Sequence, residues 1–104
     1  MKDPLKTEEA PFVSVIVPIY NAETELPGLI ESLAGQTYPH GAYEVLLVDN
    51  GSKDQSRELM QQLTQPFGAL FRLLVESETQ GSYAARNFGL SQAKGELIAF
   101  TDAD

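Results

Sequence analysis

No cysteine occurs anywhere in the 104 residues, and that absence excludes disulfide scaffolds, thiolate metal centres and cysteine nucleophiles together. Histidine is nearly absent too: His40 stands alone, with no Cys or second His nearby to share a zinc ion. Basic residues are scarce, seven Lys plus Arg against fifteen Asp plus Glu, and the formal charge of -8 repels phosphate backbones and anionic headgroups. Nucleic acid is therefore not expected as a partner. No uninterrupted apolar run approaches the roughly 20 residues that span a bilayer, and Met1 to Ala10 is polar and charged. These absences describe a soluble chain with a polar extension over residues 1–11. What remains is ordinary for a globular protein, 42% hydrophobic and 21% charged, and its length suits one small domain.

The ordered signal begins at Val13-Ser-Val-Ile-Val-Pro18, a β-branched run ended by a proline that cannot extend a central ladder, and it predicts a buried strand. Leu26, Leu29, Ile30, Leu33 and Ala34 then follow at the i, i+3, i+4, i+7, i+8 spacing of an amphipathic helix. Asn21 or Thr24 is the expected cap, and Pro27 is tolerated because it falls in the first turn. Residues 35–41 read as a return loop. The pattern repeats with Val45 to Val48 as a second strand and Asp49-Asn-Gly-Ser52 as a turn. Ser52 with Gln55 matches a capping box for a helix whose stripe is Leu59, Met60 and Leu63, broken by Pro66 and Gly68. Leu70 to Val75 is a third strand, Gly81 opens a third helix to about Ala93 with Gly95 as its stop, and Leu97 to Thr101 is a fourth strand. Strands apolar on both faces, alternating with helices, imply an α/β fold: a Rossmann-like parallel sheet with helices on both faces. The sequence stops on Asp102-Ala-Asp104 with no covering helix after the fourth strand, so a longer parent chain is expected.

In open α/β sheets ligands bind outside the carboxyl ends of the strands. Four loops here bring polar residues to that edge: Pro18, Tyr20, Asn21 and Glu23 after strand one; Asp49, Asn50 and Ser52 after strand two; Gly81 and Arg86 at the third helix; Asp102 and Asp104 after strand four. Taken singly, Asn50-Gly51 and Gly81 need be no more than turn formers; their convergence on one edge favours a binding site. Gly81 lets backbone approach a ligand at a helix N-terminus that favours anions. Arg86 suits either a phosphate or an ion pair with Asp102 or Asp49. Asp49 can accept from a base or ribose, or cap its turn. Tyr20 suits stacking on a base or a place at the rim of the core. Gly89 within the helix is best explained by close packing on the sheet.

Asp102 and Asp104, two residues apart on an extended strand end, fall on one side and suit one hard divalent cation, Mg2+ or Mn2+ rather than zinc. Two carboxylates are too few for a closed cage, so the cation would borrow oxygens from a bound diphosphate and from water. A solvated, charged strand end is the plainer alternative.

Together Val13-Ser-Val-Ile-Val-Pro-Ile-Tyr-Asn21, Val48-Asp-Asn-Gly-Ser-Lys-Asp54, Gly81-Ser-Tyr-Ala-Ala-Arg-Asn-Phe-Gly89 and Leu97-Ile-Ala-Phe-Thr-Asp-Ala-Asp104 resemble, in order and spacing, the nucleotide-binding half of the family 2 glycosyltransferases, inverting enzymes of the GT-A fold. The resemblance implies that residues 12–104 are a nucleotide-sugar-binding half-domain in which Pro18, Tyr20, Asn21 and Glu23 line the base and ribose site. It implies that Asp49 binds the base, that Arg86 lies near the diphosphate, and that Asp102 sits by the ribose or metal with Asp104 as the metal ligand, with Ser52 and Gly81 beside the nucleotide. The donor would be a nucleoside diphosphate sugar, UDP-linked in preference, and the acceptor a saccharide or lipid-linked hydroxyl. The metal would be Mn2+ or Mg2+. The general base would lie beyond Asp104, leaving this chain alone with little or no transfer activity, and the setting would be cytoplasmic, at the membrane face in the full-length protein. Two other classes stand beside this one. A non-catalytic nucleotide-binding or interaction module would use the exposed fourth-strand edge for association; a phospho-acceptor receiver is disfavoured because no acidic pair follows strand one.

Overall fold

A computed structural model describes residues 10–103; Met1 to Glu9 of the expected extension and Asp104 lie outside the described residues. Four strands form one parallel sheet: β1 (Val13–Ile19), β2 (Tyr43–Asp49), β3 (Phe71–Val75) and β4 (Leu97–Phe100), in the order β3-β2-β1-β4. Three α-helices connect them, α1 (Leu26–Ala34), α2 (Ser56–Thr64) and α3 (Ser82–Gln92), with short 3-10 turns at His40–Ala42 and Gln65–Leu70. Alternation along β1 and β2 divides the core. Val17, Ile19, Val45 and Leu47 face α1 and α2 with Leu26, Ile30 and Met60, whereas Ile16, Leu46 and Val48 face α3 with Ala85. β2 is buried along its whole length, as a central parallel strand must be. No helix among the described residues is long and apolar enough to cross a membrane.

The α/β reading and the order of elements hold, but several local expectations give way. β1 does not end at Pro18; it runs through it to Ile19, in register with β2. The carbonyls of Phe12 and Ile16 accept from the β4 side and that of Ile19 from the β2 side, so the ring of Pro18 replaces an N–H that would face β4. β4 pairs with β1 only from Val13 to Ile16, and the proline falls beyond its end.

Neither Asn21 nor Thr24 caps α1. The helix starts from a tight turn in which the Ala22 carbonyl accepts from the Glu25 and Leu26 amides, and the residue at its cap, Glu25, makes no side-chain cap bond. The Ser52–Gln55 capping box is not formed either: α2 begins at Ser56, whose amide donates to Asp54 Oδ1 at 2.9 Å. α3 ends at Gln92 without using Gly95 as its stop. Gly95 instead lies against β1, where a Cβ would sit 2.5 Å from the Ser14 nitrogen, and its amide donates to Ser14 Oγ at 2.8 Å. Gly89 does pack on the sheet as expected, with only 2.6 Å between a hypothetical Cβ and Ile16 Cγ2.

At the amino-terminal end of the sheet is a buried carboxylate absent from the pattern analysis. Glu44 accepts from Ser14 Oγ at 2.6 Å, the Lys94 amide at 2.8 Å and Arg72 Nη1 at 3.0 Å. Burial pushes its carboxyl up, but these donors together with the Arg72 charge outweigh burial and hold it below the ordinary value. The group ties the α3–β4 turn to β1, β2 and β3.

Candidate functional site

β1 and β4 are the point where the connections change face, α1 and α2 covering one side and α3 the other, and this is where an open α/β sheet leaves a crevice. A cleft of about 510 Å³ opens there. Of the residues singled out in the sequence, Pro18, Tyr20, Asn21, Asn50, Gly81 and Asp102 line it; Glu23, Asp49, Ser52 and Arg86 do not. Tyr20 is half exposed at the cleft wall. Gly81 has φ +126°, a conformation that side chains rarely adopt, and it delivers the first turn of α3 to the cleft with Ser82 beside it.

The β1–α1 and β2–α2 loops are stitched together. The Asn21, Ala22 and Glu23 amides donate to Ser52 Oγ (2.9 Å), Ser56 Oγ (2.8 Å) and Asp54 Oδ2 (3.3 Å), and the Lys53 amide donates back to Asn21 Oδ1 at 2.8 Å. Asn21 adopts the left-handed conformation, φ +47°, that this exchange requires. Ser52 and the Asn21 side chain are thus used within the protein. Burial raises the Asp54 carboxyl, but hydrogen bonds from the Ser56 hydroxyl and amide and the Glu23 amide prevail and lower it.

Asn50 reaches in the other direction. Its Nδ2 donates to the Glu76 and Thr79 carbonyls at 2.6 and 3.0 Å, and its Oδ1 accepts from the Gly81 amide at 2.8 Å. The side chain thereby holds the segment that presents α3 to the cleft.

Asp49 ends β2 and is fully buried. Its Oδ2 accepts from the Gly51 and Ser52 amides, both at 3.2 Å, and from Arg57 Nε at 2.9 Å. Its Oδ1 has no partner among the described residues. A buried carboxylate oxygen without a donor is costly in a protein interior.

Arg86 pairs with Asp102, Nη2 to Oδ1 at 3.0 Å, and donates through Nη1 to Ser82 Oγ at 3.2 Å. Of the two anionic partners open to it from sequence, the pair is with Asp102. The Asp102 side chain is 64% exposed, so the pair is a weak one that an incoming anion can displace. Among the described residues no cluster of three metal-ligating side chains exists. The exposed Asp102 carboxylate, whose Oδ2 has no partner among the described residues, nevertheless suits a hard cation that takes most of its ligands from elsewhere.

Comparison with known proteins gives this geometry its context. A model of the family described as "Glycosyl transferase family 2" matches residues 14–104. The chain belongs to that family. Among its relatives, "Glycosyltransferase AglE" of Haloferax volcanii is 46% identical over 98 residues, 94% of this chain and 32% of that protein. The chain thus spans about a third of the length of such a relative. Among solved structures, the mannosyltransferase PcManGT from Pyrobaculum calidifontis, in complex with GDP-Man and Mn2+, superposes with a TM-score of 0.87 at 33% identity, covering 98% of this chain and 29% of that one. S. aureus TarS in complex with UDP gives 0.79 at 36% identity over 89% of this chain and 27% of that one. The sheet is therefore a GT-A, Rossmann-like one.

In this family 2 chain the sequence reading missed Arg57, the partner of Asp49, and passed over the cleft residues Ala22, Glu25, Gln80, Ser82 and Ala103. Arg57 is eight residues from Asp49 on another element and carries no motif. Only the turn made by Gly51 and Ser52 brings it within reach.

Proposed function

We propose that the chain is the donor-binding portion of a glycosyltransferase that moves a sugar from a nucleoside diphosphate sugar to an acceptor hydroxyl with inversion at the anomeric carbon. The observation that carries this reading is the 510 Å³ cleft at the β1/β4 switch point, walled by Tyr20 and by the first turn of α3 and rimmed by Asp102. Tyr20 offers a face for the base, and Asp49, buried behind the cleft next to Asn50, holds the Gly51–Ser52 turn that supports this wall. Pro18, Asn21, Glu23, Ser52 and Gly81 shape and support the nucleotide site from the β1, β2 and α3 loops. The α3 N-terminus and Arg86, released from Asp102, face the diphosphate and stabilise charge that develops on it.

Charge argues for a metal. The residues lining the cleft include two acids, Glu25 and Asp102, and no Lys or Arg, within a chain of net charge -8, so a diphosphate needs a cation to enter. Asp102 and Asp104 are the residues to hold Mn2+ or Mg2+. When bound, the ion offsets negative charge on the leaving diphosphate. The general base and the pocket for a saccharide or lipid-linked acceptor are assigned to the parent protein beyond Asp104, and its setting to the cytoplasmic face of the membrane.

Titration calorimetry with UDP, GDP and their sugar conjugates, with and without Mn2+, tests this on the chain and on Asp102→Asn and Asp104→Asn. Metal-dependent binding of a diphosphate, reduced at least tenfold by either substitution, is expected. Binding by none of these nucleotides to the folded chain would overturn the donor-site reading.

A further inference from the structure

We propose that Gln80 reads the base: its side-chain oxygen accepts the ring N–H of uracil or guanine and so discriminates against cytosine and adenine. The inference rests on the donor-site reading and adds to it the class of base.

The order of the strands gives the cleft two ends. β1 lies between β2 and β4, so Asp102 and Ala103 line the cleft from the β4 side, Asn50 and the Gln80 bonded to it line the β2 side, and Pro18 and Tyr20 lie between. A cation on Asp102 holds the diphosphate at the first end, and the nucleoside then extends past Tyr20 toward the second. Of the two residues there, Asn50 is buried and Gln80 is exposed.

The Gln80 amide is held in one sense. Asn50 Nδ2 donates to the Glu76 and Thr79 carbonyls, which makes Asn50 Oδ1 the acceptor that meets the Gly81 amide. Gln80 therefore turns its nitrogen to Asn50: Nε2 donates to the Asn50 carbonyl at 3.0 Å and to Asn50 Oδ1 at 3.4 Å, which engages both of its hydrogens. A flip would set Oε1 against two acceptors. No donor among the described residues reaches Oε1, and Gly51 beside it has no side chain to cover it, since a Cβ there would sit 3.5 Å away. Gln80 thus offers a ligand an acceptor and no donor.

Bases fall into two classes on their pairing edge. Uracil and guanine carry a ring N–H there, whereas cytosine and adenine carry a bare ring nitrogen that accepts. Opposite Oε1 the first class makes a hydrogen bond; the second sets two desolvated acceptors against each other. Because Nε2 is engaged, the amide cannot turn to suit the second class.

The test is a pair of ratios. Dissociation constants for UDP, CDP, GDP and ADP are measured by calorimetry in Mn2+ for the wild-type chain, Gln80→Ala and Gln80→Met. UDP and CDP share a ring size, as do GDP and ADP, so each ratio isolates the pairing edge. In whichever size class the cleft admits, the wild type is expected to prefer UDP over CDP, or GDP over ADP, by about tenfold, the scale of one hydrogen bond made against one refused. Both variants should bring that ratio to within about threefold, Gln80→Met doing so while it keeps the bulk of the side chain. A merely structural Gln80, or one that touches only the ribose, would weaken both members of a pair together and leave the ratio unchanged, and that result would overturn the inference, as would a wild type that binds CDP as well as UDP and ADP as well as GDP. Binding of none of the four would instead remove the donor-site reading, and the inference with it.

Discussion

Asn50 illustrates how much one side chain sets at this edge. Its amide nitrogen satisfies two carbonyls, Glu76 and Thr79, and its amide oxygen takes the Gly81 N–H. In Asn50→Asp the first role fails, because a carboxylate oxygen would face two carbonyl oxygens. A loss of about 1–3 kcal/mol of stability is expected from unsatisfied buried groups, measurable by urea unfolding, together with weaker nucleotide binding as the α3 entry loosens. At this scale the sequence was readable in part. Pro18, Tyr20, Asn21, Gly81 and Asp102 were all recognised as edge residues and all line one cleft. Ser52 and Glu23 were recognised with them, yet the Ser52 hydroxyl and the Glu23 amide are consumed in loop-to-loop bonds, a matter of which partner is nearest in space. Asp49 was legible as a strand-end carboxylate; that one of its oxygens takes three donors and the other none among the described residues was not.

Among elements, the strands and the apolar stripes of the helices followed the hydrophobic pattern, while the helix starts did not. Ser52, Asn21 and Thr24 are all residue types that cap helices, and the competition among them is decided by the latch between the β1–α1 and β2–α2 loops, which engages Asn21 and Ser52. The α3–β4 turn depends on Glu44, whose carboxyl titrates below its ordinary value of 4.5. A depressed folded value means that the carboxylate contributes stability above about pH 4.5 and that this contribution is lost as the pH falls through the folded value. Asp54 acts in the same sense from an ordinary value of 3.8. Thermal unfolding followed from pH 7 to pH 3 should therefore show falling stability at the acid end, and Glu44→Gln should lower the neutral-pH stability and flatten that fall.

For the whole molecule, the alternation of apolar runs with amphipathic segments was enough to indicate a parallel α/β sheet, but not the strand order. The order β3-β2-β1-β4 arises because α3 returns on the opposite face, and nothing in its own amphipathic stripe states which face that is. β4 stands at the edge with Leu97 and Phe100 about half exposed. Association of the 104-residue chain through this edge is proposed. Light scattering over a concentration series should show growing mass for the wild type and a smaller rise for Phe100→Lys; a constant monomer mass throughout would rule it out.

Pro18 links these scales. The rung after Ile16 would carry an N–H from residue 18 to the Thr101 carbonyl, and the ring removes it. With that rung gone, two neighbouring strands that run side by side for four residues part company like a zipper halted by one missing tooth, and the cleft lies in the fork between them. The entrance to the site is thus written into the chain as a hydrogen that is not there.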